Sequence, residues 1–429
     1  MPNSNSPAIT NFRTLYLCYF GLREPLVQTQ VLPYLREIAK GGYEIYLLTF
    51  EPEFRSHWTD EEIDREKERL ANQGIKWLSL PYHKRPSLPS TLYDIAAGAR
   101  LAAKLVRQHK IEIIHARSHV AAAMGALAKK VSGGQLIFDI RGFMPEEYVD
   151  AGVWPAGGRL YRLTKAAERR LFKSADAFVV LTEQARRMLF GDGANRDARG
   201  RPIEVIPCCV DLCRFSWSSG ASKQELKSEL KLDGCRVIVY VGALGGWYLT
   251  DEMAEFLAAA HRQDAATFSL ILTQSRPEMI ARRLRSLGVA ERDYMIRKVA
   301  PNEIPRYLRA ADFALSFIKP CYSKRASSPT KIAEYLAAGL PVISNAGIGD
   351  LDEMIESDRV GVIVREFNEA AYLSALTAVE RLAQEAETAA RCAESAAKRF
   401  DLEGVGGEAY RRLYRRLLEN APSRDAEPA

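Results

Sequence analysis

The sequence predicts an α/β protein built from two doubly wound parallel-sheet domains, and three observations carry that prediction. Short apolar runs alternate with amphipathic helical stretches along most of the chain, the pattern of strands buried on both faces beneath crossover helices. The rhythm stops at the polar piece SWSSGASKQELKSEL, which begins at residue 216, and then restarts. The length of 429 residues, with 47% hydrophobic and 27% charged side chains, suffices for two or three domains with cores of their own.

Taken in order, the first series of strand-like runs is TLYLCYF, YEIYLLTF, IKWLSLP, IEIIHAR, QLIFDI and DAFVVLT, rich in the aliphatic and aromatic residues that suit a buried pleated surface. The second is RVIVYVG, FSLILT, YMIRKV, DFALSF, PVISN and GVIV. The expected organisation is a first domain over 1–215, a second over 216–398, a C-terminal helix within 399–420 packing back toward the first domain, and a flexible tail over 421–429. The Ala-rich segment 369–398 reads as one long helix and GEAYRRLYRRLLEN as another.

Composition narrows the function. A net charge of +6, from 60 basic and 54 acidic residues, suits phosphate-bearing ligands or an anionic membrane surface and is too small to indicate nucleic acid as a partner. The seven cysteines sit at no zinc-finger spacing, and the group Cys208, Cys209 and Cys213 has no histidine nearby, so reduced thiols and no metal are expected. The polar start MPNSNSPAIT and the lack of an apolar run of about 18 residues lead to the expectation of a cytoplasmic chain, with peripheral contact at the inner membrane face as an option.

Doubly wound sheets bind ligands beyond the carboxyl ends of their strands, so the chemistry belongs in the loops after each run. Neither a G-x-G-x-x-G after a strand nor a G-x-x-x-x-G-K-[ST] occurs, which argues against a dinucleotide dehydrogenase and a P-loop enzyme. VGALGGW does follow a strand, where Gly242, Gly245 and Gly246 either admit a ligand close to the backbone or simply end the strand. Further on, SSPTKIAEYLAAGLPVIS has Ser328 as N-cap, Pro329 as first helical residue, Gly339 just past the end and Pro341 as a stop, so a helix is expected over about 329–338. Thr330, Lys331 and Glu334 share one face of it, opposite Ile332, Tyr335 and Leu336. One reading is a solvated ion pair. The other is a ligand site: the helix start would lie at the binding edge, Lys331 and the dipole would meet a phosphate, and Glu334 would take ribose hydroxyls.

SSPTKIAEYLAAGLPVISN resembles the donor-binding signature of GT-B glycosyltransferases, in particular the retaining family 4. VIPCCVDLCRF is similar to their interdomain element, with Cys208 and Cys209 in place of Asn-Gly, and KGGYEIYLLT and EIPRYLRAADFALSF resemble further segments in the right order. The resemblance implies two Rossmann-like domains facing a central cleft, the first holding the acceptor and the second a nucleoside diphosphate sugar of UDP or GDP type. It implies hexosyl transfer to an acceptor hydroxyl, with retention, without a metal or other cofactor, and in cell-envelope or exopolysaccharide synthesis, where the acceptor is a saccharide or lipid-linked. On the residues it implies that Lys331 and the Gly242–Gly246 loop serve the diphosphate, Glu334 the ribose, and the strand end at Val299 the base. Arg141, in FDIRG, stands where relatives carry a cleft histidine; it either holds a phosphate or sugar hydroxyl or pairs with Asp139, Glu146 or Glu147.

The chain also departs from the family pattern. Ala326 stands where relatives often have a glutamate, and ALGGWYLTDE lacks the usual Arg and Lys, leaving Lys324, Arg325, Lys331 and Arg141 to meet phosphate charge. A sugar-nucleotide epimerase of the same fold, or a non-catalytic sugar-nucleotide-binding subunit, therefore stays open. On the acceptor side, Gly21, Arg23 and Gln28 in the loop GLREPLVQTQVLPYL are expected to form a wall, and one of His115 and His119, read as i and i+4 of a helix start, to line the cleft. RLYRLTKAAERRLFK reads either as a membrane-surface helix or as an ordinary exterior helix whose Leu160, Leu163 and Leu171 face the sheet.

Overall fold

The structure, a computed structural model, describes residues 12–193, 195–215 and 222–419; the expected tail and part of the expected domain boundary lie outside them. Seven parallel strands form the first sheet: β1 (Phe12–Cys18), β2 (Tyr43–Pro52), β3 (Ile75–Tyr82), β4 (Ile113–Arg117), β5 (Gln135–Asp139), β6 (Ala177–Val180) and β7 (Ile203–Val205), ordered β3-β2-β1-β4-β5-β6-β7. Six form the second: β8 (Arg236–Val241), β9 (Thr267–Leu272), β10 (Tyr294–Arg297), β11 (Phe313–Ser316), β12 (Val342–Asn345) and β13 (Gly361–Val364), ordered β10-β9-β8-β11-β12-β13. Every apolar run became a strand because helices cover both faces of each sheet. Strand β7 lies inside PIEVIPCC, which the sequence reading treated as connector; three residues are too few to show a period.

Strand order reverses between β1 and β4 in one sheet and between β8 and β11 in the other. At such a reversal the flanking connections leave to opposite faces, which opens a crevice at the carboxyl edge. The loops after β1, β4, β8 and β11 therefore form the binding ground.

Three local expectations are corrected. The segment 369–398 is two helices, Glu369–Gln384 and Thr388–Phe400, because Glu385 is extended. The first buries Tyr372, Leu376 and Val379 in the core on one face of the sheet and the second buries Cys392 and Ala396 on the other, so a straight helix would strand one apolar face in solvent. The stretch after β1 is two short helices, Pro25–Gln30 and Leu32–Ala39, each with a proline in its first turn. In the helix Arg159–Ser174, Leu171 faces the sheet but Leu160 and Leu163 do not: they are 46% and 67% exposed.

The C-terminal helix Glu408–Glu419 lies on the first domain, burying Tyr410, Leu413, Tyr414 and Leu417 in its core, while Arg412 and Arg416 pair with Glu204 at 2.7 and 2.8 Å. The two crossings between domains run side by side, Val210 N–H donating to the Phe400 carbonyl at 2.9 Å and Leu402 N–H to that of Val210 at 3.0 Å.

Candidate active site

The signature helix spans Thr330–Ala337, with Pro329 in extended conformation as its N-cap. Ser328 is not the cap: its Oγ accepts from the Cys208 N–H of the interdomain connector at 3.0 Å. Lys331 and Glu334 share a face as the helical period requires, but that face is buried, at 7% and 9% exposure, with Lys331 under the loop that follows β8. The Lys331 ammonium stands 4.1 Å from the ring centre of Tyr240 and 4.3 Å from that of Tyr248, and Nζ makes no hydrogen bond. No ion pair joins it to Glu334 among the described residues, so the solvated-pair reading is corrected: the helical wheel sets relative angles, whereas the covering loop decides what is wet. Burial lowers the Lys331 pKa to about 7 against the pull of Glu334, and burial raises that of Glu334 to about 7 against Arg214 and Lys331. An ammonium held between aromatic faces with no hydrogen-bond partner among the described residues can act as a receptor for an anion.

Gly242 makes that receptor possible. A Cβ there would stand 2.5 Å from Lys331 Nζ, and its φ of +146° suits glycine alone. Gly245 and Gly246 continue the loop, with Gly245 N–H bonded to Thr250 Oγ1 at 2.8 Å. Val299 is buried and its carbonyl accepts from Gln274 Nε2 at 2.9 Å. Among the other expected cations, Lys324 is engaged: it pairs with Glu147 of the first domain at 3.0 Å and lies 4.0 Å over the ring of Trp247. Arg325 is exposed, and its carbonyl takes a hydrogen bond from Thr182 Oγ1 at 2.9 Å. Thr330, half-buried, begins the helix.

Across the cleft, Arg117 ends β4 and pairs in register with Asp139, which ends β5 two residues before Arg141. The two guanidinium groups share that one carboxylate, at 3.9 Å for Arg117 and 3.6 Å for Arg141, whereas Glu146 and Glu147 pair with Lys165 and Lys324 instead. Burial opposes ionisation of Asp139, yet Arg141, His115 and Arg117 hold its pKa down to about 2. Arg117 Nη1 and Arg141 Nε and Nη1 are buried without a hydrogen bond, so two fixed positive charges face one negative charge at the strand edge.

The histidine expectation is corrected. His115 lies in β4 and only His119 is on the following helix, because the backbone turns at Ser118 with φ +69°. His115 is fully buried between Tyr16 and Tyr414, bonded to Tyr414 Oη at 2.9 Å, and burial lowers its pKa. His119 is buried on Glu168 at 3.0 Å. Neither ring offers surface to a ligand. Gly21 opens a turn closed by the Glu24 N–H on its carbonyl at 3.1 Å, and it also permits close approach, since a Cβ there would meet Glu51 Oε2 at 2.9 Å. Gln28 donates to the Leu22 carbonyl at 2.6 Å, and exposed Arg23 pairs with Glu62 and stacks 3.8 Å from the Trp58 ring.

Arg117, Arg214, Tyr240 and Tyr248 escaped the sequence reading, whereas Asp139 was already named there as a partner for Arg141. Arg117 was findable, since it stands at the end of IEIIHAR where the loop rule points. Nothing in sequence marks Tyr240, which reads as an ordinary strand aromatic.

Two parallel-sheet domains with their switch points opposed across a cleft define the GT-B class of glycosyltransferase. Residues 27–209 match the model of the glycosyl transferase 4-like domain and residues 235–381 that of glycosyl transferases group 1, and the chain belongs to that family. It is 25% identical over 162 residues to spore coat protein SA of Bacillus subtilis, a match spanning 36% of this chain and 41% of that relative. Among solved structures it is similar to HepE of Anabaena in complex with UDP and glucose, with TM-score 0.67 and 16% identity over 94% of this chain and all of that one. Sucrose-phosphate synthase of Thermosynechococcus elongatus superposes with TM-score 0.69 and 15% identity over 96% of this chain and 100% of the other. At such identities the likeness is one of fold.

Proposed function

We propose that the protein transfers a hexose-type sugar from a nucleoside diphosphate sugar, of UDP or GDP type, to an acceptor hydroxyl on a saccharide or lipid-linked molecule of the cell envelope or an exopolysaccharide. The observation that carries this reading is the Lys331 ammonium, buried between Tyr240 and Tyr248 with no hydrogen bond or ion pair among the described residues, above Gly242 and one turn from Glu334. The diphosphate would serve as its counter-ion and Glu334 would accept from the ribose hydroxyls. Arg141 and Arg117 face it from the first domain and would hold an anionic or hydroxylated group of the sugar or acceptor. Departure of the diphosphate is then assisted by fixed charge in a water-poor cleft, an electrostatic contribution that needs no covalent step at the protein. Retention of configuration and independence of metal rest on the family resemblance.

The test is thermal stabilisation of the purified protein across UDP, GDP, ADP, CMP and dTDP sugars, with and without divalent metal. Stabilisation by one base, lost in Lys331→Ala and Glu334→Ala, is expected, followed by transfer in an acceptor screen. Stabilisation without turnover on any acceptor supports the non-catalytic reading, and sugar interconversion without transfer supports an epimerase. No shift with any nucleotide sinks the site assignment.

A further inference from the structure

One face of the first domain combines dense positive charge with exposed apolar side chains. The helices Ser87–His109, Ser118–Ser132 and Arg159–Ser174 pack side by side over a shared core on that face. Together they hold eleven lysines and arginines against two carboxylates, a net +9 where the whole chain has +6. Both carboxylates, Asp94 and Glu168, are buried, held by His83 and by His119 with Lys165. No acidic side chain of these helices reaches the surface.

Large apolar side chains stand among these cations. Leu88, Leu92 and Tyr93 are exposed on the first helix, Leu127 and Val131 on the second, and Leu160 and Leu163 on the third. Of the thirteen exposed large hydrophobic residues among the described ones, only Met279 and Tyr322 lie in the second domain. An apolar groove of about 960 Å³ runs between the first two helices, lined by Leu101, Leu127 and Val131 and flanked by Arg100 and Lys104. On the third, Leu160 and Leu163 are flanked by exposed Arg159 and Arg162, with Arg169, Arg170 and Lys173 in the following turns.

A polyanion alone would need the cations but not the leucines. A surface that presents both at once fits the headgroup region of a bilayer, where guanidinium groups meet lipid phosphates and leucines enter the acyl boundary. We propose that this face docks on an anionic lipid bilayer. The three helices run antiparallel to the strands, so Leu88, Leu92, Leu160 and Leu163, near their starts, lie toward the carboxyl edge that carries Arg117 and Arg141. Docked this way, the cleft mouth borders the membrane and suits a lipid-borne acceptor, the one part of the proposal that rests on the transferase reading.

The test is co-sedimentation with vesicles of phosphatidylcholine alone and of phosphatidylcholine containing about one third phosphatidylglycerol. Wild type is expected to bind the anionic vesicles at least about tenfold more tightly than the neutral ones, and less so as salt rises. The pair Leu160→Ser, Leu163→Ser and the pair Arg169→Gln, Arg170→Gln should each weaken binding about tenfold, whereas Met279→Ser leaves it unchanged. All these residues are exposed, and unchanged stabilisation by the nucleotide sugar reports that the fold persists. Equal binding to both vesicles, or binding to neither, overturns the proposal. So does wild-type affinity of the leucine pair together with retention on heparin, which would mark a polynucleotide-type surface. Vesicle binding as expected with no nucleotide-sugar stabilisation leaves the docking face standing and removes the transferase reading; the converse does the opposite.

Discussion

At the residue scale the chemistry turns on Lys331 and Glu334, whose burial brings both pKa values to about 7 from opposite sides. Without a ligand Lys331 is mostly neutral above that pH, and a bound diphosphate would restore its ordinary, higher pKa. Donor binding above pH 7 should therefore take up a proton, and affinity should fall as pH rises from about 7 toward the ordinary lysine range. Glu334 works in the other direction: it is mostly protonated below about 7, and hydroxyl donors from a ribose favour the carboxylate, so binding there should release a proton. The net exchange is expected to change sign near pH 7, read by calorimetric titration with the nucleotide sugar in two buffers of different ionisation enthalpy. Exchange of one sign throughout would mean that these two groups are not the ones the donor meets. The shared helical face of the pair was legible in the sequence, as were Pro329 and Gly339 at the helix ends. Its dryness was not, because the covering Gly242 loop and Tyr240 come some ninety residues earlier and arrive only through the order of β8 and β11.

At the element scale the C-terminal helix ties the two domains into one chain path. Its sequence shows an amphipathic helix with tyrosines and leucines on one side, expected to pack back toward the first domain; its particular seat, against β7 and the helix Leu32–Ala39, is a tertiary fact. Leu413 is fully buried there, and Leu413→Ala should destabilise the first domain by about 2–5 kcal/mol, measured as a shift of its denaturant midpoint. A change below about 0.5 kcal/mol, the usual ceiling for surface substitutions, would mean that the helix does not dock in solution. The break at Glu385 belongs to this scale too. Alanines favour a helix through it, and packing on two different faces of the sheet overrides that preference.

At the scale of the whole molecule, the cleft is closed by a set of polar clasps beside a small apolar contact, in which Phe143 meets Tyr322 with ring centres 5.8 Å apart and Ala326 enters the first domain's core. Asp350 of the second domain accepts from the first N–H groups of the helix Glu183–Phe190, at 2.7 Å from Glu183 and 3.0 Å from Gln184. Lys324 pairs with Glu147, and Ser323 N–H donates to Asp150 at 2.8 Å. Such contacts are replaceable by water, which suits a cleft that opens and closes around substrate. Asp350→Ala should cost about 1–2 kcal/mol of closure, seen as a larger radius of gyration by small-angle scattering in the donor-free protein. Unchanged scattering would place the restraint elsewhere.

What the sequence by itself determined is everything that depends on neighbours in the chain: the strands as apolar runs, the restart of the pattern at the domain boundary, the ends of the signature helix, and the residues that relate the chain to its family. The tertiary structure alone decided which side chains are dry, paired or bare. It put His115 into a core instead of a cleft, set Arg117 beside Arg141 over a single carboxylate, enclosed Lys331 in tyrosines, and left Leu160 and Leu163 in solvent. The reason is physical. Periodicity fixes directions relative to one element, whereas burial and charge pairing depend on what another element, distant in sequence, brings to that side.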